Sequence, residues 1–325
     1  MYYIMLRMAK TRPKLKGPIL VTGATGFVGS HVARKLVSQG ADVHILVRPT
    51  SNLWRLNDII PKISLHWGDL ADKGSVGKIM SMLKPKGIFH LGAAIVISGH
   101  GAGSETIIAT NVLGTVNLMD TASSHPYDFF VAMGSFLEYG FKDHPIKENE
   151  LCEPGELYGV TKLAGTLYGQ ALARASGKPI VTLRLFTPYG PYNEKERLTH
   201  KIIASALADR DIALTRPTVS RDFVFIDDIV ELILEAAENA LKYRGEIFNL
   251  GSGARTPIGD VVSYLLKKTG SKSKVKWGAF RDVSYDNDTW QADMAKTFSC
   301  FSWRPKHTLH TGLDSIIEHF KKHGC

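Results

Sequence analysis

The chain has 325 residues, 44% of them hydrophobic and 22% charged, an ordinary globular balance with length for one large domain or two smaller ones. Forty Lys and Arg against 31 Asp and Glu give +9, which raises nucleic acid, acidic lipid and phosphorylated small molecules as partners. Five of these charges (Arg7, Lys10, Arg12, Lys14, Lys16) fall in residues 1–16 without an acid, leaving +4 for the remainder.

That stretch lacks the length or interleaved aromatics of a nucleic-acid segment and reads as a basic flexible arm. No apolar run approaches the roughly 18 residues of a membrane span, and no secretory signal is expected. Cys152, Cys300 and Cys325 are unclustered, and His90, His100, His125 and His144 have no metal-ligand spacing. A cytoplasmic protein without a metal site, a membrane anchor or a nucleic-acid partner is the expectation.

Strand and helix patterns alternate from residue 18. Strands are expected at 18–22, 43–47, 63–67, 88–91, 129–133 and 180–185. Helices are expected at 27–39, 75–83, 105–124 and 157–176. This rhythm predicts an α/β fold, a doubly wound parallel sheet with helices on both faces. After 186 the rhythm loosens. A Pro/Gly/Tyr-rich loop spans 187–197, with helices at 201–208, 229–240, 258–269 and 309–323 and short strands at 223–226 and 248–250. The expected division is an arm at 1–16, a dinucleotide-binding domain at 17–186 and a smaller, interleaved substrate-binding portion at 187–325.

Residues 22–29 read Thr-Gly-Ala-Thr-Gly-Phe-Val-Gly. Gly23 permits a tight turn, Gly26 lets backbone approach a pyrophosphate, and Gly29 lets a helix pack against the strand. The helix N-terminus opening at Phe27 and Val28, after Thr25, offers N–H groups to phosphate. This segment resembles the glycine motif of the extended short-chain dehydrogenase/reductases, the NAD(P)-dependent epimerase/dehydratase family. Further resemblances follow in order along nearly the whole chain: Gly68-Asp69-Leu70, His90-Leu91-Gly92-Ala93-Ala94, and Asn111-Val112-Leu113-Gly114-Thr115. The resemblance implies a Rossmann-type domain in which Asp69, Leu70, Leu91, Ala93, Ala94 and Asn111 attend the cofactor.

The second strand ends at Arg48 with no acid to bind a ribose 2′-hydroxyl. Arg48 and Ser51 suit a 2′-phosphate, which leans the expectation to NADP, with NAD the alternative.

Tyr158-Gly-Val-Thr-Lys162 puts a phenol and an ammonium on one helix face. A nearby cation and an oxidised nicotinamide favour phenolate, so Tyr158 can move a proton at a substrate oxygen while hydride moves at the attached carbon. By resemblance, Lys162 also holds the nicotinamide ribose. Ser135, at the end of the fifth strand, can hydrogen-bond the reacting oxygen. Residues 133–140, Met-Gly-Ser-Phe-Leu-Glu-Tyr-Gly, resemble the family's Ser-x-x-x-Tyr-Gly segment. They lack the Thr-Asp-Glu of its 4,6-dehydratases and the cysteine of its 3,5-epimerising members. Glu138, where the family commonly has Val, is expected to be a solvated loop carboxylate.

The segment 184–191 resembles the family's RxxNxYGP, with Thr187 replacing Asn. It implies that Phe186 and Pro188 lie by the nicotinamide. The segment 221–228 resembles RDFxxVDD, and implies that Arg221 and, by position, Arg281 reach a substrate diphosphate. Phe136 and Thr187 complete the expected substrate contacts. Tyr189, Tyr192 and Trp290 could stack on a base or sugar, with a core role favoured for each, and residues 97–103 are expected to form a flexible loop. The main expectation is reduction of a 4-keto nucleotide-diphosphate sugar, with Tyr158 as general acid. A C4 epimerase with tightly bound NAD is one alternative; a non-catalytic dinucleotide sensor or RNA-binding relative is another. The resemblance also implies a homodimer through helices 105–124 and 157–176.

Overall fold

A computed structural model describes residues 15–97, 100–101, 103–280 and 286–324. The strands that organise it are β1 (Pro18–Thr22), β2 (Asp42–Val47), β3 (Ser64–Trp67), β4 (Gly87–His90), β5 (Phe129–Ser135), β6 (Ile180–Leu185), β7 (Thr187–Tyr189), β8 (Ser220–Phe225), β9 (Ile247–Leu250) and β10 (Arg255–Pro257). Seven of them form one parallel sheet in the order β9-β6-β5-β4-β1-β2-β3. The helices are α1 (Phe27–Ser38), α2 (Lys73–Leu83), α3 (Ser104–Ile108), α4 (Gly114–Ser123), α5 (Leu157–Ser176), α6 (Leu198–Leu207), α7 (Ile226–Glu238), α8 (Ile258–Thr269), α9 (Ala295–Cys300) and α10 (Leu309–His323).

Alternation along the strands builds two cores. Ile19, Val21, Ile45, Phe89 and Val131 point to one face and pack with Val32 and Leu36 of α1 and Ile229 and Ile233 of α7. Leu20, Leu46, Ile88 and Phe130 point to the other and pack with Ile79 of α2, Leu118 of α4 and Ala173 of α5. Both faces are therefore covered, as the near-continuous apolar strands require. Chain order reverses between β1 and β4, which opens a crevice at the carboxyl ends of the strands.

The C-terminal portion returns β9 to the sheet edge and forms a second sheet, β10-β8-β7. The expected loop at 187–197 thus begins with a short strand, and the expected helix at 201–208 starts three residues earlier, at Leu198. The expected helix at 105–124 is interrupted: a π-helical turn at Ala109–Leu113 separates α3 from α4. Most of the arm, Arg281 and part of the loop at 97–103 lie outside the described residues. Among the described residues no helix is long and apolar enough to cross a membrane, and no cluster of three or more His, Cys, Asp or Glu could hold a metal ion.

Candidate active site

The glycine loop lies at the mouth of the crevice. Gly23 turns the chain at φ +72°, and Gly26 N–H closes the turn on the Gly23 carbonyl at 3.0 Å. A Cβ on Gly29 would stand 2.1 Å from the Gly23 oxygen, so only glycine lets α1 start this close to β1. No side chain caps the N-terminus of α1, which leaves the Thr25–Phe27–Val28 end of the loop to a phosphate. Arg55 holds the back of the loop through the Thr25 carbonyl at 3.2 Å.

The other expected cofactor residues gather on neighbouring strand ends. Asp69 Oδ1 accepts the Ala71 N–H, and Leu70 is buried below it. Leu91, Ala93 and Ala94 follow β4. Asn111, in the π turn, donates to the Ala94 carbonyl at 2.9 Å, accepts the Ala94 N–H at 2.7 Å and donates to Thr161 at 3.0 Å. It ties the loop after β4 to α5, a role that no single motif displays. His90 bridges Thr22 and Thr115 and is held neutral, its pKa pushed down to about 3 by burial.

Arg48 is exposed at the end of β2. The Ser51 hydroxyl oxygen accepts the Arg48 N–H at 3.1 Å, while the Ser51 N–H donates to the Arg48 carbonyl. Ser51 therefore closes a turn.

Ser135 ends β5 and is buried. Tyr158 and Lys162 stand one turn apart at the start of α5. Glu156 caps this helix, accepting the Tyr158 and Gly159 N–H groups at 3.0 and 2.6 Å. A Cβ on Gly159 would lie 2.4 Å from the Leu137 carbonyl oxygen, so the first turn of α5 sits directly on the segment that follows Ser135. This contact sets the end of α5 that carries Tyr158 and Lys162 against the segment that follows Ser135. Burial pushes the Tyr158 phenol up to about 12, with Arg197 the main opposing charge. Burial lowers the Lys162 pKa, against the pull of Glu138.

Glu138 is not the solvated carboxylate expected of it. It is 0% exposed and pairs with Arg184, 2% exposed, at 2.7 Å. The two residues lie 46 positions apart, and only the pairing of β5 with β6 unites them.

On the substrate side, Phe136 stacks on Phe186 at 5.5 Å and meets Trp290 edge-on at 4.7 Å. Thr187 and Pro188 are half-buried on β7. Arg221 forms a buried ion pair with Asp286, so any diphosphate must share or displace that partner. Asp222 accepts hydrogen bonds from Ser252, Gly253 and Ala292, which fastens β8 to the C-terminal portion. Tyr189 and Trp290 are core residues, while Tyr192 packs among His31, Trp54 and His319.

The chain is 30% identical to an uncharacterized UDP-glucose epimerase of Bacillus subtilis, over 92% of this chain and 96% of that one. It is 28% identical to UDP-glucuronate 4-epimerase 6 of Arabidopsis thaliana, over 96% of this chain and 74% of that one. Among solved structures it superposes on UDP-glucuronic acid 4-epimerase of Bacillus cereus, in complex with UDP-glucuronic acid and NAD. The TM-score is 0.84 and the identity 26%, covering 94% of this chain and 99% of that one. The UDP-glucose 4-epimerase of Thermotoga maritima with UDP-glucose gives 0.84 and 25%, with the same coverage. With Ser51 engaged in its turn and a similar protein solved with NAD, the lean toward NADP drawn from Arg48 is withdrawn. The family model for the NAD dependent epimerase/dehydratase family matches residues 19–251, and the chain belongs to that family.

Proposed function

We propose that the protein is a nucleotide-sugar C4 epimerase that keeps NAD bound and acts on a UDP-hexose or UDP-hexuronate. The observation that carries this reading is the seating of the Tyr158–Lys162 end of α5 on the segment after Ser135, in a chain several of whose similar proteins are named as 4-epimerases. The expectation of net reduction is withdrawn, because its chemical support was the NADP lean.

The glycine loop, Asp69 and the loop after β4 would hold NAD, which supplies a hydride acceptor and donor at C4. Tyr158 takes the proton from the sugar O4 and gives it back. A phenol with a pKa near 12 is a poor base at neutral pH, so Lys162 and the positive charge of the oxidised cofactor must lower it. Ser135 hydrogen-bonds O4 through both half-reactions. Phe136, Thr187 and Arg221 bound the space for sugar and diphosphate. Apolar side chains stand exposed on α3, the π turn and α5, which supports a homodimer as the working unit.

The test is direct. Protein released from its ligand by denaturation should yield NAD and no NADP. Incubation with UDP-glucose or UDP-glucuronate, without added cofactor, should give the C4 epimer by NMR. Stoichiometric consumption of NADPH with a 4-keto sugar would instead restore the reductase. Bound NAD with no turnover on any UDP-sugar would leave a sensor.

A further inference from the structure

A serine hydroxyl is a rotor that can give or accept a hydrogen bond in several directions, so the presence of Ser135 does not by itself aim it. Two contacts do. Ser135 Oγ accepts the Leu137 N–H at 3.2 Å, and Glu138 Oε1 accepts the Ser135 N–H at 2.8 Å. With one lone pair of Oγ occupied by the Leu137 N–H, the hydroxyl proton turns away from that N–H and is free to donate to a substrate oxygen.

The second Glu138 oxygen is also committed. Oε2 accepts Arg184 Nε at 2.7 Å. Arg184 is in turn held against the Tyr139 ring at 4.3 Å and the Cys152 sulfur at 3.2 Å. Gly134 lies beside Arg184 in the register of β5 and β6, and a Cβ there would stand 2.6 Å from Glu138 Oε1. Glycine at 134 and glutamate at 138 therefore form one device, in which the missing side chain makes room for the carboxylate.

We propose that Glu138, anchored by Arg184, is a positioning residue that aims the Ser135 hydroxyl at the reacting sugar oxygen. The proposal rests on the epimerase reading. While Arg184 is present a carboxylate is required, because both of its oxygens must accept; glutamine offers one acceptor and one donor, and can serve Ser135 or Arg184 but not both.

Two double variants isolate this role, since replacing both members of a buried ion pair by neutral residues is commonly tolerated. In E138Q/R184M the amide oxygen is free to accept the Ser135 N–H. In E138L/R184M nothing accepts it, although the charge is the same. The glutamine double should recover most of the wild-type kcat on the UDP-sugar turned over, whereas the leucine double and the single E138Q should lose about 10-fold or more. KM and NAD content should stay within about twofold of wild type in both doubles, because the defect lies in orientation and not in binding. Equal kcat in the two doubles overturns the proposal while leaving the epimerase reading intact. A wild-type protein that turns over no UDP-sugar overturns both.

Discussion

At the scale of single residues, the decisive quantity is the proton affinity of Tyr158. Burial is the largest cause of a phenol pKa raised to about 12; Arg197 opposes it, and Glu138 and Glu156 push in the same direction as burial. A raised phenol pKa keeps the group protonated across the neutral range, so the base form grows as pH rises. The kcat of NAD-loaded protein should therefore climb with pH, along a limb whose midpoint lies below 12 by the amount that Lys162 and the cofactor charge contribute. Removing the phenol in Tyr158→Phe should lower kcat by about 10²–10⁴-fold, with NAD content unchanged. A pH-independent kcat in wild type, or near-normal turnover in the variant, would remove Tyr158 from the chemistry. These residues were legible because each belongs to a local pattern: a helical turn separates Tyr158 from Lys162, and Ser135 closes an apolar strand. The burial of Glu138 and the ion pair of Arg221 are not legible, for the opposite reason. Their partners, Arg184 and Asp286, are 46 and 65 positions away, and an ion pair formed across strands or loops leaves no trace in local spacing.

Among the elements, strands β1 and β6 and helices α5, α8 and α10 match the expected bounds, because strong apolar periodicity and glycine stops define them. The helix expected at 105–124 does not, because a π turn adds one residue without breaking the apolar pattern on either side. The turn swings Asn111 into contact with Ala94 and Thr161, three hydrogen bonds that clamp the loop after β4 to α5. Asn111→Ala leaves the half-buried Ala94 N–H and carbonyl without this partner and should lower stability by about 1–3 kcal/mol in chemical denaturation, with loss of retained NAD. The start of α1 makes a stricter demand. Gly29→Ala drives a methyl onto the Gly23 carbonyl and must move the loop. Loss of copurified NAD is the expected result, together with about 1–3 kcal/mol of destabilisation. A variant that retains full NAD occupancy would show that the loop does not contact the pyrophosphate.

Across the whole molecule, half-buried His31 and buried His90 weaken the fold as pH falls, and the buried Asp222 carboxyl, raised to about 6, offsets part of that. Desolvation lowers His31 to about 4 and His90 to about 3, against 6.5 for the free side chain. The unfolded chain therefore binds protons that the folded chain refuses. The stability these histidines contribute is fully present above about pH 6.5 and falls as pH drops toward 4 and then 3. Urea midpoints measured at pH 7 and pH 5 should differ in that direction, and His31→Gln should flatten the difference. The positive charge of the chain says little about partners once the arm is set aside. The more informative surface is apolar. Ile108 (44% exposed) and Leu113 (54%) project from α3 and the π turn, and Val160 (48%) and Leu167 (53%) lie seven residues apart on one face of α5. These elements pack side by side, so the exposed groups form one region of surface. Monomers seldom leave such a patch open to water, and a second copy bringing the same two helices would cover it with a self-complementary four-helix contact. Sedimentation velocity should show twice the chain mass for wild type. Paired substitution of Leu113→Glu and Leu167→Glu should give a monomer, because burying the new carboxylates against one another is prohibitive. A wild-type chain that sediments as a monomer at micromolar concentration would assign this face to a different partner.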